Sequence, residues 1–157
     1  MKFAHINYED GAFSLRASAV IIQENNILMH KYDSADEYFV FSGEILFGED
    51  SETAILRIAR EQFKQEFSIA KLLYINEELF KYEGGNKQQH YIDFYYLMTP
   101  TNLIVHLPPP IEDSHGKANF HWIPIEKLSD ETKLSWFLKM DLCPGSTSHS
   151  PRHIISK

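Results

Sequence analysis

A change of hydrophobic period in mid-chain constrains this sequence more than any other feature. Up to residue 41 the apolar residues fall in short β-rich runs, "LRASAVII" (15–22), "ILMHKY" (27–32) and "EYFVF" (37–41). "QENN" separates the first two, and asparagine tolerates the left-handed backbone of a hairpin turn. A loop carrying Gly43 and Gly48 follows. The period then becomes four: Ile55, Ala59, Phe63 and Phe67 recur with polar residues between them, the pattern of an amphipathic helix on a core. Asp50 or Ser51 can cap it, and Glu49 and Glu52 suit the positive end of its dipole. No glycine stands where a helix stop is expected.

Strand periodicity returns in residues 71–82 and 90–98, joined by the turn "EGGNK". A long connection, 99–117, holds three consecutive prolines that forbid regular structure around them. A last strand over 119–125 and a helix over 129–140 complete a domain spanning 1–143, and 144–157 reads as a polar, mobile tail. Strands and helices mix without strict alternation. That predicts an α+β fold, an α/β/α sandwich with a mixed β-sheet and helices on its faces, rather than a doubly wound parallel sheet.

The 157 residues give room for one domain with a real core. A net charge of −7 argues against general nucleic-acid binding, which needs clustered Lys and Arg. The single cysteine, Cys143, excludes an internal disulfide, and His115 and His121 form no zinc pattern with it. No run approaches the roughly 18 apolar residues of a membrane span, so no membrane partner is expected. "MKFAHINYED" is too polar for a signal peptide, and a cytoplasmic location is the default expectation.

The loop and helix together carry a specific pattern. Gly43 is followed at the right spacings by Glu49, Arg57, the apolar Ala59 and Glu61. This resembles the Nudix box, G-x5-E-x7-R-E-U-x-E-E-x-G-U, of the Nudix hydrolases. Ile58 stands where the family has the glutamate after the arginine, Gln62 replaces the second glutamate of the pair, and Lys64 and Gln65 replace the final glycine and apolar residue. A register shifted by four residues would bring in Glu66. The gapless one needs no insertion and keeps "KLLYINEELF" at its usual distance. The early hairpin and the late "HWIPIEKL" (121–128), with its W-x-P-x-E-x-L pattern, extend the resemblance over about residues 15 to 140.

The resemblance implies hydrolysis of a nucleoside diphosphate linked to another moiety, with Mg²⁺ or Mn²⁺ on the helix carboxylates in an active enzyme and no cofactor in an inactive one. Mg²⁺ is a hard cation that wants oxygen ligands, and carboxylates at i, i+3 and i+4 of one helix share a face. Here those positions are Ile58, Glu61 and Gln62, so only one charge is left. By the resemblance the metal ligands are Glu61, Gln62 and Gly43, and the catalytic set is Glu61, Arg57 and Glu49, with Glu49 and Arg57 pairing to hold the loop. Glu44, Asp50, Glu52, Glu66, Glu112 and Asp113 are the acids available to compensate. Arg16 can meet a phosphate, and among the aromatics Phe39, Phe80, Tyr91 and Tyr95, Phe80 and Tyr91 are the chosen stacking partners for a base. The expected partner is a small nucleotide-like ligand, and a homodimer is compatible with the pattern. Two functions compete: a Nudix-type hydrolase with a weakened or rearranged metal site, and an inactive Nudix-fold module that binds a nucleotide or a protein.

Overall fold

A computed structural model describes residues 2–82, 84–128, 135–142 and 151–157. In chain order the elements are β1 (His5–Asn7), β2 (Gly11–Gln23), β3 (Asn26–Tyr32), β4 (Phe41–Glu44), α1 (Ser51–Phe63), β5 (Phe67–Lys81), β6 (Gln88–Pro100), β7 (Ile111–Asp113), β8 (Gly116–Pro124), a 3-10 turn (Ile125–Lys127), α2 (Trp136–Leu142) and β9 (Arg152–Ser156). The described strands join in one sheet of order β7-β8-β3-β2-β6-β5-β9, with β1 and β4 sharing an edge of β2. The β2–β6 and β5–β9 pairs are parallel and the others antiparallel, so the sheet is mixed, as expected.

The two faces of β2 serve different ends. Ala17, Ala19 and Ile21 pack with Ala54, Ile55 and Ala59 of α1 and with Tyr96 and Met98 of β6. The alternate residues turn the other way, because successive side chains of a strand point to opposite faces. On that side Val20 packs with Tyr74, Tyr95, Phe137 and Leu138, so α2 covers one end of it. The result is the α/β/α layering the sequence predicts. Toward the start of β2 the same face carries Ser14, Arg16 and Ser18 rather than apolar residues.

Several boundaries differ from the sequence reading. Of the run 37–41, Phe39 makes an isolated bridge to His30 and Phe41 opens the strand Phe41–Glu44, which pairs with Arg16–Ala19. Phe67 belongs to β5, not to the helix, although it still stacks on Phe63 at 5.3 Å. The helix stops because Lys64 takes the left-handed conformation, φ 55° and ψ 30°, usually given to glycine, with its N–H bonded to the Arg60 carbonyl. β5 begins earlier than its alternation suggests because register shifts at Ile69/Lys71 and Leu72/Tyr74 disrupt the period of two. The connection 99–117 holds β7 and the first residues of β8, turned at Gly116 (φ +113°). Arg152–Ser156, expected in a free tail, instead pair with Tyr74–Glu78 as β9, and Ile154 is buried. Of the helix expected over 129–140, residues 129–134 lie outside the described residues, as do 143–150.

Candidate functional site

The loop that leads into α1 is braced by one ion pair. Arg57 donates from Nε to Glu49 Oε1 and from Nη2 to Glu49 Oε2, both at 2.8 Å. This fork-to-fork geometry is the strong form of the pair. Glu49 Oε2 also accepts from the Leu46 N–H, and Arg57 Nη2 reaches the Glu44 carbonyl at 3.4 Å. The Arg57 hydrogen bonds hold the Glu49 carboxyl below its usual range, and Glu49 in turn raises the guanidinium. Asp50 caps the helix by accepting from the Thr53 N–H at 2.8 Å, and the Ser51 hydroxyl meets the Tyr96 hydroxyl at 2.6 Å. Glu49 and Arg57 thus tie the glycine loop to the helix.

The three residues at the family's carboxylate positions do three different things. Glu61 is 64% exposed and lies 3.8 Å from Arg57 Nη1. Ile58 covers Gly43: a methyl group there would sit 2.7 Å from Ile58 Cδ1. The Gln62 amide nitrogen donates to the Pro109 carbonyl at 2.8 Å and fastens the long connection to the helix, a bond a glutamate cannot make. A hard dication wants several oxygen ligands. One exposed carboxylate beside a guanidinium, an isoleucine and an engaged amide do not provide them. The expected ligands Glu61, Gln62 and Gly43 therefore do not fit a Mg²⁺ or Mn²⁺ ion as they stand. Nor do the compensating acids converge. Glu44 meets Ser14 and His5, Asp113 accepts from Tyr32 at 2.6 Å, Glu66 faces Arg60, and among the described residues no three His, Cys, Asp or Glu are placed to share an ion.

On the face away from α1 the structure brings the predicted binding residues together. The Arg16 guanidinium lies over the Tyr91 ring, 5.5 Å from its centroid, and the Phe80 ring meets Tyr91 edge-on at 5.2 Å. Tyr82 packs on Phe80 at 5.1 Å. Register explains the grouping: Ser14 pairs with Tyr91, Arg16 with Asp93, and Tyr91 with Glu78, so all five share a face of β2, β6 and β5. Ser42 and Glu44 extend it on β4, and Ser42 Oγ accepts from Arg16 Nη2 at 2.8 Å. Phe39 instead packs on His30 and Tyr32, and Tyr95 is core, stacked on Phe137 and Tyr74.

Asp93 and Glu78 are the members of this floor that sequence reasoning missed. Asp93 is 5% exposed; its Oδ2 accepts from Ser18 at 2.9 Å while Oδ1 has no partner among the described residues. Burial raises its pKa to about 6, against the lowering pull of Arg16 and Ser18. Glu78 is likewise pushed up by burial and pulled down by Arg16. The available signal was an aspartate inside "HYIDFYYLM", a run otherwise built for the centre of a sheet. Nearby, burial lowers His30 to about 4, and its Nδ1 has no partner among the described residues. Burial and the Asp113 hydrogen bond raise the Tyr32 hydroxyl to about 12.

No protein-family model matches the chain, and no curated protein does. Solved structures do. A UDP-X diphosphatase aligns with a TM-score of 0.56 at 15% identity, over 95% of this chain and 69% of that one. A NUDIX hydrolase from Nitrosomonas europaea gives 0.53 at 14%, over 96% and 82%. A MutT protein from Bacillus halodurans gives 0.56 at 13%, over 89% of each. At these identities the likeness is one of fold: the chain has the Nudix fold. Among the described residues no helix is long and apolar enough to cross a membrane.

Proposed function

We propose that the chain is a Nudix-type protein that binds a nucleoside diphosphate, linked to a further moiety, on the Arg16–Tyr91 face. We propose further that its hydrolysis of that ligand is reduced by several orders of magnitude. One observation supports the reading: the Glu49–Arg57 brace is present, while Ile58 packs on Gly43 and Gln62 is tied to Pro109. Two missing carboxylates, at about 2.7–4 kcal/mol for each electrostatic group, account for a loss of that size. Binding has separate support in a cation beside aromatic rings on a half-buried sheet face, where Arg16 offers donors to a phosphate or carbonyl and Phe80, Tyr82 and Tyr91 offer planes to a base.

Since the helix lacks a carboxylate set, binding on this face does not depend on a dication. Titration of nucleoside diphosphates and nucleoside-diphosphate sugars by calorimetry, with Mg²⁺ and then with a chelator, tests this. The expected result is a dissociation constant that changes less than about threefold between the two conditions and rises about tenfold or more in Arg16→Met. Binding only when metal is present, or unchanged in Arg16→Met, would contradict the reading.

The alternative, a module that has lost hydrolysis outright, takes its support from the same side chains. Ile58 is packed against the core cluster that includes Ala59 and Phe41, as a structural residue would be. Measured turnover separates the two.

A further inference from the structure

The floor of the proposed site holds one cation and two carboxylates that do not satisfy one another. Among the described residues Arg16 has one side-chain hydrogen bond, to Ser42, and it rests on Tyr91. Both Asp93 and Glu78 lie within its electrostatic reach, yet neither forms an ion pair with it. Asp93 is buried, and its Oδ1 has no partner among the described residues. Glu78 has no hydrogen bond or ion pair among the described residues. A buried acceptor without a donor is a standing cost to the fold, and such groups in native proteins call for an explanation. Core packing does not explain three polar groups at neighbouring register positions. A ligand does.

The donor and acceptor inventory defines that ligand. A guanidinium only donates, and ionised carboxylates only accept. The complementary edge presents one acceptor to Arg16 and two donors to the carboxylates, in one plane beside an aromatic ring. Guanine has that edge: the O6 carbonyl, N1–H and the 2-amino group. Hypoxanthine lacks the second donor. Adenine and cytosine present their amino group where the carbonyl should be, and uracil carries two carbonyls around a single N–H.

We infer that Arg16, Asp93 and Glu78 are specificity residues for a guanine-type edge, with Arg16 donating to the carbonyl, Asp93 and Glu78 accepting from the two N–H groups, and Tyr91 supplying the stacking plane. The inference rests on the nucleotide-binding reading above and assigns its base. Entry of the base requires the Arg16 guanidinium to lift from the Tyr91 ring, a movement opposed by that ring contact and by the hydrogen bond to Ser42. It also places the net negative charge of the floor under the base and leaves the phosphates to lie beyond it.

Calorimetric titration of GDP, IDP, ADP, CDP and UDP into the full chain tests this. Wild type is expected to bind GDP about tenfold more tightly than IDP, the effect of one paired donor, and to bind ADP and CDP more weakly than IDP. Glu78→Met, close in volume and at a half-buried position, is expected to bring the GDP-to-IDP ratio to about one to two while leaving IDP affinity within about threefold. Asp93→Asn provides a second arm that keeps the side-chain shape, and it is expected to weaken GDP and IDP together. Circular dichroism confirms that each variant is folded. Equal affinity for all five nucleotides, or a GDP preference that survives Glu78→Met, overturns the assignment while leaving nucleotide binding standing. Failure of every nucleotide to bind wild type overturns both.

Discussion

Replacing Asp93 with Asn should change how the stability of this protein depends on pH, by an amount that follows from its burial. In the fold the Asp93 carboxyl titrates at about 6, displaced from 3.8 chiefly by loss of solvent. Between those values the folded chain keeps a proton that the unfolded chain has released, so this group's contribution to stability falls as pH rises. At about 1.4 kcal/mol per pH unit the displacement corresponds to about 3 kcal/mol. His30 acts in the opposite sense. Burial lowers it from 6.5 to about 4, so the unfolded chain binds a proton that the folded chain refuses, and stability is lost by about 3 kcal/mol as pH falls through that window. The two contributions nearly cancel in wild type. Asp93→Asn removes one of them. Urea unfolding followed by circular dichroism at about pH 4 and about pH 7.5 gives the variant-minus-wild-type difference, in which His30 and every other shared group drop out. The unfolded Asp93 is already about half ionised at pH 4, so that difference should move in favour of the variant by about 2.4 kcal/mol on going to the higher pH. A difference that stays constant within about 0.5 kcal/mol, or moves the other way, would show that Asp93 is not carried as a buried, destabilised carboxylate.

Other perturbations test other parts of the account. Arg57→Lys keeps the charge but loses the two-pronged contact with Glu49, so it should lower stability by about 1–3 kcal/mol in the same unfolding assay; an unchanged midpoint would remove the brace from the argument. Gly43→Ala sets a methyl group 2.7 Å from Ile58 Cδ1 and should cost about 1–3 kcal/mol, recovered in part by Ile58→Val, which removes that atom. Removing residues 151–157 takes away β9 and the buried Ile154 and should lower the melting temperature by several degrees; no change would mean that the β5–β9 pairing adds nothing to stability.

The layering was legible because it rests on period. The continuous β-rich runs of β2 and β3, buried on both faces, and the spacing of Ile55 and Ala59 are local consequences of burial. The spaced motif residues likewise foretold the Glu49–Arg57 pair. That Arg16 and Phe80 both lie against Tyr91 is set by register. What escaped depends on partners distant in sequence. Lys64 accepts a left-handed conformation at a helix end where glycine is the usual residue. The bulges of β5 hide its first residues from a period of two. β9 exists because β5 offers an edge, not because "RHIIS" announces a strand. Asp93 and Glu78 become candidates only once register sets them beside Arg16. The tie from Gln62 to Pro109 spans 47 residues and cannot be read from the helix alone.

The central claim is that Ile58 and Gln62 limit turnover on an otherwise intact fold. The most direct measurement is hydrolysis of nucleoside-diphosphate substrates with Mg²⁺ or Mn²⁺, comparing wild type with Ile58→Glu/Gln62→Glu at equal protein concentration. The account predicts a rate in the double variant at least about 10²-fold above wild type. Contradiction would be a wild-type rate equal to or above that of the double variant and indifferent to Glu61→Gln.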